Sequence, residues 1–153
     1  MKRKNFRDAR GFTLIELLVV VAVIGIIASV AIPSLINILH RGRQSRTMSD
    51  MRSVSEGLAM YHQDNRFFPV HENALLTDID EALEPYIGGT TRLDGWGDVL
   101  HFSCEDGQSY TLISFGKNRA PDLPYSHRTT NSFDSDIVMS NGSFIQWPEG
   151  PQQ

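Results

Sequence analysis

The chain has 153 residues, which suffices for one domain of ordinary size, and a formal net charge of −4 at pH 7. Residues 1–11 hold five of its 14 Lys and Arg residues but only one of its 18 acidic residues. The remainder is therefore strongly acidic, and no nucleic acid is expected as a partner, because that affinity grows with basic contacts. The single cysteine, Cys104, excludes an intramolecular disulfide, and we expect it to be a buried apolar residue.

The first predicted element is an apolar helix. The run from Leu17 to Leu39 contains no Asp, Glu, Lys, Arg or His. Because a helix needs about 20 apolar residues to cross a bilayer, we predict a transmembrane helix over 12–39. The basic residues of 1–11 favour a cytoplasmic N-terminus. The run is too long for the apolar core of an ordinary secretory signal. A plain uncleaved anchor explains neither Gly11 before Phe12 nor the lone acid Glu16, which is costly beside an apolar run.

The sequence from Arg10 to Val20, RGFTLIELLVV, resembles the processing signal of type IV pilins and type II secretion pseudopilins. The resemblance implies that 1–11 is a leader peptide and that a prepilin peptidase cleaves between Gly11 and Phe12 on the cytoplasmic face. It also implies N-methylation of Phe12. The residues suit this chemistry, since glycine lets the backbone approach a protease closely. Cleavage frees an α-amino group that is positive or partly so near neutral pH.

Glu16 has two interpretations. The family resemblance implies that it neutralises the Phe12 amine of a neighbouring subunit during filament assembly. Opposite charges attract strongly in a low-dielectric setting, and either one alone is costly there. The alternative is that Glu16 reaches the interface and pairs with lipid headgroups or a leader arginine. Gly25 and Pro33 both weaken a helix, and by resemblance the filament helices bend or unwind at this stretch.

Beyond the membrane the helix is predicted to continue in amphipathic form over 40–63. One face carries apolar residues at helical spacing: Met48, Met51, Val54, Leu58 and Tyr61. The polar run 64–66 and Pro69 are expected to end the helix. The membrane half lacks such a stripe because lipid and other helices surround it, whereas the distal half needs only one side against a domain.

Residues 64–153 are predicted to form a periplasmic globular region of loops and β-sheet. We expect a loop with a short helix over 73–83, ending near Pro85-Tyr86. Strands are predicted over 100–104 and 109–115 around one turn, and over 136–139 and 143–147 around Asn141-Gly142. Trp96 and Trp147 are expected to be core or interface aromatics. The predicted fold is α+β and pilin-like, with the long N-terminal helix packed on a small antiparallel sheet.

Segments 60–65, 94–97, 114–116 and 134–137 resemble the major pseudopilin of type II secretion. Members of that family bind one calcium ion. By position, Asn118, Asp134 and Asp136 would be side-chain ligands, with carbonyls near Ser114 completing the six to eight oxygens that calcium takes. The family usually has Asp-Gly where this chain has Asn118-Arg119, so one carboxylate is lost. The alternative is that the two aspartates are solvated turn residues.

The predicted function is structural: a type II secretion pseudopilus subunit that polymerises through its N-terminal helix to drive protein export. The alternative is a type IV pilin, major or minor, of a surface fibre for adhesion, motility or DNA uptake. A third class, a membrane-anchored binding or enzymatic domain, would keep its leader. No nucleophile-elbow, phosphate-loop or zinc spacing occurs, so no enzyme is predicted.

The expected location is the inner membrane, crossed once, with the C-terminal domain in the periplasm. The resemblance implies several partners: copies of the chain itself, minor pseudopilins, the prepilin peptidase, an inner-membrane assembly platform and the lipid bilayer.

Overall fold

A computed structural model describes residues 11–89, 92–125 and 127–152. The predicted leader lies outside the described residues, except for Gly11. Two compact units make up the chain, one ending at Ile36 and the other beginning at Asn37. Each unit is described by itself below.

The first unit contains the start of helix α1 (Leu14–Asn65). Its apolar side chains are exposed almost without exception. Within the described part of the chain, α1 is the helix that is long and apolar enough to cross a membrane. Helix α1 continues over Gly25 and Pro33 in this single chain. The predicted bend concerns the packed filament, and it stays a prediction.

In the second unit, α1 buries the predicted apolar stripe. Met51, Val54 and Leu58 are fully buried, and Met48 and Tyr61 pack against the same core. The stripe is therefore confirmed. The helix ends at Asn65, slightly beyond the predicted end. Arg66 has a φ of 70° and donates its N–H to the His62 carbonyl at 2.8 Å, so the backbone leaves the helical path there.

The described strands form one sheet. Its members are β1 (His71–Leu75), β2 (His101–Cys104), β3 (Thr111–Ser114), β4 (Arg128–Thr130), β5 (Ile137–Ser140) and β6 (Ser143–Pro148). The spatial order is β1-β2-β3-β5-β6-β4. All pairs are antiparallel except β4 with β6, which is parallel. A 3-10 turn (Leu76–Ile79) and helix α2 (Asp80–Ile87) connect β1 to the rest. The predicted α+β architecture is confirmed.

Both predicted hairpins are present. Strands β2 and β3 pair antiparallel with Phe102 opposite Leu112. Strands β5 and β6 are joined by Asn141 and Gly142, with φ of 46° and 81°. Two successive positive φ angles match the right-handed twist of a two-residue hairpin, which is why an Asn-Gly pair occurs there.

Two strands differ from the sequence predictions, and the short helix ends one residue beyond the expected Pro85-Tyr86. Strand β1 occupies part of the region predicted as a loop over 73–83, and only Ala74 of its residues is buried. Helix α2 continues through Pro85 to Ile87 because Leu83 and Ile87 anchor it in the core. Strand β4 is short and exposed and had not been predicted.

The core lies between the distal half of α1, the sheet, and the segment 76–87. Its sheet side includes Phe102, Leu112 and Met139, all essentially without exposed surface. Cys104 is buried beside them and is a free thiol, as expected. The Ser55 and Tyr110 hydroxyls lie 2.7 Å apart and join α1 to this sheet across the core edge.

Candidate functional site

The N-terminus of α1 is closed by a reciprocal pair of side chains. The Glu16 carboxylate accepts hydrogen bonds from the Thr13 N–H (2.9 Å) and the Thr13 hydroxyl (2.7 Å). The Glu16 N–H in turn donates to the Thr13 hydroxyl oxygen at 3.3 Å. This is a capping box, with Thr13 as the cap and Glu16 three residues later. The sequence pattern Thr-x-x-Glu could have predicted it.

The capping box holds the Glu16 carboxylate next to the residue that cleavage would make N-terminal. Phe12 directly precedes Thr13, and its side chain is 80% exposed. A shallow groove of about 350 Å³ runs beside Glu16 and is lined by Phe12, Ile15, Val19 and Val20. A carboxylate is favoured at a helix N-terminus by the helix dipole. The single chain therefore presents an acid, an apolar groove and an exposed aromatic ring at one place.

A second constellation of buried polar groups centres on Asp94, which is only 4% exposed. Its Oδ1 accepts the backbone N–H groups of Trp96 (2.8 Å) and Asp98 (2.9 Å). Its Oδ2 accepts the Ser114 hydroxyl at 2.7 Å. Each of its oxygens thus has a partner, as a buried carboxylate requires. Asp94 folds the 94–98 loop and ties it to the end of β3.

The same loop rests directly on the backbone of α1. The Gly95 N–H donates to the Thr47 hydroxyl at 2.8 Å. A Cβ on Gly95 would lie 2.7 Å from the Arg43 carbonyl carbon and 2.8 Å from its Cα. Trp96 donates its indole N–H to Nδ1 of His40 at 3.4 Å. The Asp-Gly-Trp-Gly segment is therefore a fastening between helix and sheet, and only glycine permits this approach.

The loop after β3 approaches both the 94–98 loop and the acidic segment before β5. The Arg119 guanidinium donates to the Trp96 carbonyl at 3.0 Å. Gly116 has a φ of 64°, and a Cβ there would lie 2.8–3.1 Å from the carbonyl oxygens of residues 133–135. Both the positive φ of Gly116 and the closeness of these carbonyl oxygens require a glycine there.

The predicted calcium ligands are each engaged differently. The side-chain oxygen of Asn118 accepts the Ala120 N–H at 3.0 Å. Asp134 is exposed and lies 4.0 Å from the Lys117 ammonium. Asp136 is fully buried, and its Oδ2 accepts the Asp122 N–H at 3.0 Å, while its Oδ1 has no hydrogen-bond partner. No three His, Cys, Asp or Glu residues gather around a metal position in the described ranges.

Asp136 alone therefore offers an oxygen suited to a cation, because a buried polar atom without a partner is costly. Asn118 and Asp134 would have to exchange their present contacts to act as ligands. Calcium binding would therefore require these two side chains to rearrange, and it stays a prediction. Burial raises the pKa of Asp136 to about 6, and the Asp122 charge acts in the same direction, whereas hydrogen bonds from the Asp122 N–H and the Tyr125 hydroxyl oppose this shift.

The expectation that Trp96 and Trp147 are core or interface aromatics is met in part. Trp96 and Trp147 are half-buried, Trp96 against His40 and Trp147 on strand β6. The His40 ring also contacts the Phe133 ring in a tilted arrangement, with centroids 5.1 Å apart and an interplanar angle of 42°. The sequence did not reveal that residues from α1, from the 94–98 loop and from both sides of the β3–β5 connection meet at this point.

Two family descriptions match the chain. Residues 6–32 match the prokaryotic N-terminal methylation motif, and residues 34–131 match type II secretion system protein G. No solved structure matches the chain significantly.

Curated relatives agree with these matches. The type II secretion system core protein G of Escherichia coli K12 is 28% identical over 74% of this chain and 78% of its own length. The protein of the same description in Vibrio cholerae is 32% identical over 74% and 84%. The one in Klebsiella michiganensis is 36% identical over 76% and 82%. A type IV wide pilus major component of Thermus thermophilus, PilA4, is 37% identical over only 46% of this chain and 54% of its own.

Proposed function

Because the chain belongs to the type II secretion system protein G family, we propose that it polymerises through helix α1 into the pseudopilus of a type II secretion system. It is a structural subunit, a pseudopilin, and the filament drives protein export across the outer membrane. The alternative of a type IV surface pilin is less well supported, since the pilus relative is similar over less than half of the chain.

The observation that carries this proposal is the arrangement at the start of α1. The exposed Phe12 ring, the apolar groove and the Glu16 carboxylate lie together there. Cleavage after Gly11 exposes an amine on Phe12, and Glu16 of a second copy supplies the opposite charge. In a single chain Glu16 is held by Thr13. Assembly then exchanges this neutral partner for a charged one, and the gain is large in a low-dielectric setting.

The proposed topology follows from the same helix. The apolar half of α1 spans the inner membrane before assembly, with residues 1–11 in the cytoplasm and the sheet domain in the periplasm. The exposed apolar side chains of this half become buried against lipid first and against other copies of α1 later. We propose the prepilin peptidase, the minor pseudopilins and the inner-membrane assembly platform as further partners. No enzymatic step is assigned to the chain itself.

The test compares three variants in cells that carry the secretion system. Glu16→Gln keeps a side-chain oxygen for the Thr13 cap but removes the charge, and Glu16→Ala removes both. Glu56→Gln removes the same charge from the exposed part of α1 as a matched control. We expect both Glu16 variants to insert in the membrane and accumulate normally, yet to form few filaments. Filaments of normal length and number from Glu16→Gln would contradict the charge-pairing account.

A further inference from the structure

Three cations and a tryptophan meet where α1 leaves its apolar run. His40 directly follows Leu39, the last residue of that run. The indole N–H of Trp96 donates a hydrogen bond to Nδ1 of His40, and the Arg119 guanidinium donates one to the Trp96 carbonyl. Gly95, next to Trp96, lies against the backbone of Arg43. Lys117 joins this group through its backbone N–H, which donates to the Phe133 carbonyl at 3.0 Å, and the Phe133 ring centroid lies 5.1 Å from that of His40. Burial lowers the pKa of His40, and the charges of Lys117 and Arg43 act in the same direction, whereas the Asp134 charge opposes them.

We name these residues the Trp96 cluster: His40, Arg43, Trp96, Lys117 and Arg119. Its cations are accessible, with Arg43 and Arg119 exposed and the Lys117 side chain 47% exposed. Asp134, 4.0 Å from Lys117, and the half-buried Asp98 of the 94–98 loop oppose the three cations. Asp94 is close in sequence, but it is buried and fully hydrogen-bonded within its own loop. The accessible charge of the cluster is therefore positive, although the chain as a whole is acidic.

The position of the cluster along α1 corresponds to the headgroup layer of a bilayer. At 1.5 Å per residue, Arg43 lies about 6 Å beyond Leu39 along the helix. The headgroup layer on each side of the hydrocarbon core is roughly 5–8 Å thick. Residues 40–43 directly follow Leu39 in the chain and fall within this layer when Leu39 marks the edge of the core. Within the second unit, the 94–98 loop contacts these residues at His40 and Arg43. Tryptophan is enriched at that level, where its ring sits in the interface.

We propose that the Trp96 cluster binds anionic phospholipid headgroups on the periplasmic face of the inner membrane. This rests on the proposed function only in requiring that α1 span the membrane once. Arg43 and His40 come from the helix itself, but Lys117 and Arg119 come from the connection after β3. The fold therefore brings two extra cations to the membrane surface. The contact holds the 94–98 loop at the bilayer until the subunit leaves for the filament.

The experiment uses the full chain with Trp147→Phe, which leaves Trp96 as the single fluorophore. The protein is reconstituted at high dilution into vesicles of phosphatidylcholine alone or mixed with phosphatidylglycerol, each carrying a headgroup nitroxide quencher. Each Lys or Arg side chain near an anionic surface raises the ratio of lipid-bound to free loop about fivefold. We expect stronger Trp96 quenching in the anionic vesicles, and loss of that difference in 1 M salt, where the Debye length is about 3 Å.

Charge variants identify the cluster as the cause. Lys117→Gln together with Arg119→Gln is expected to reduce the quenching to the level in phosphatidylcholine. Lys117→Gln alone should lower the bound-to-free ratio about fivefold without touching Trp96. Arg66→Gln with Arg128→Gln removes the same charge from exposed positions outside the cluster and should change nothing.

Equal quenching in both vesicle types, or an equal loss in the Arg66 and Arg128 control, would overturn the proposal. Protection of α1 from protease in the vesicles is measured in parallel. A chain that inserts but shows no lipid preference contradicts this inference alone, whereas a chain that does not insert contradicts the proposed function as well.

Discussion

The contact between Gly95 and helix α1 gives a quantitative prediction for Gly95→Ala. The new Cβ would meet the Arg43 backbone at 2.7–2.8 Å, and helix backbone cannot rotate away as a side chain could. Carbon atoms prefer a separation of about 3.5–4.0 Å, so the loop must move outward by on the order of 1 Å. Overpacking of this kind costs about 1–3 kcal/mol. The displaced Gly95 N–H also loses its bond to Thr47, worth about 1 kcal/mol.

The expected loss of about 2–4 kcal/mol corresponds to a fall in Tm of roughly 5–15 °C for a chain of this size. The assay is thermal unfolding of the full chain in detergent, followed by tryptophan fluorescence, because Trp96 lies in the loop itself. Gly42→Ala is the matched control: nothing lies within 4 Å of a Cβ there. Alanine favours the helix by about 1 kcal/mol, so its Tm should be unchanged or higher. Equal Tm values for Gly95→Ala and the parent chain would refute the placement of the loop on α1.

Three further predictions concern buried polar groups and calcium. Burial raises the pKa of Asp136 from 3.8 to about 6, so the folded state holds a proton that the unfolded state releases. The contribution of Asp136 to the free energy of unfolding should therefore fall by about 2–3 kcal/mol between pH 4 and pH 7. In chelator, denaturant titrations should show the stability of Asp136→Asn rising relative to the parent between pH 4 and pH 7. A difference between the two chains that stays constant over this range would contradict this. Millimolar calcium should raise the Tm of the parent chain but not of Asp136→Asn, and an identical parent Tm in calcium and chelator would end the calcium prediction. Ser55→Ala should lower the free energy of unfolding by about 1–2 kcal/mol because the buried Tyr110 hydroxyl loses its hydrogen bond with the Ser55 hydroxyl. Exposed Ser53→Ala should stay within about 0.5 kcal/mol, and an equally small effect of Ser55→Ala would contradict this prediction.

Local signals in the sequence were sufficient for the long helix and the hairpins. The apolar stripe repeats with the period of a helix, so Met51, Val54 and Leu58 identify the buried face on their own. Asn141-Gly142 is a turn signal because its residues adopt the positive φ angles that the hairpin needs. The Thr13–Glu16 capping box is an equally local signal, because the Thr-x-x-Glu pattern lies within four consecutive residues.

Strands β1 and β4 could not be predicted from their own residues. Each lies at an edge of the sheet and pairs along one side only. Their stability comes from backbone bonds to β2 and β6, and their side chains are mostly exposed. No alternation of apolar and polar residues is required under these conditions, so the period that marks a strand is absent. Pairing with β2 therefore determines strand β1, and pairing with β6 determines strand β4.

The candidate sites divide in the same way. The predicted processing signal is continuous in sequence, so Gly11, Phe12 and Glu16 could be predicted from adjacent residues and by resemblance. The Asp94 network joins residues far apart in the chain, such as Thr47 and Ser114, and therefore leaves no local pattern. The Trp96 cluster likewise joins residues that are far apart in the chain, so no local pattern predicts it. Resemblance suggested calcium ligands at Asn118 and Asp134 but could not show that both already have other partners.

Processing at Gly11 is the central claim, because the charge on Phe12 exists only after the leader is removed. The direct measurement is mass spectrometry of the full protein extracted from membranes of cells with an active prepilin peptidase. The account predicts a chain that begins at Phe12 and carries one methyl group on its α-amine. A chain that retains residues 1–11 under these conditions would contradict the account, since Glu16 would then have no amine to meet on its neighbour.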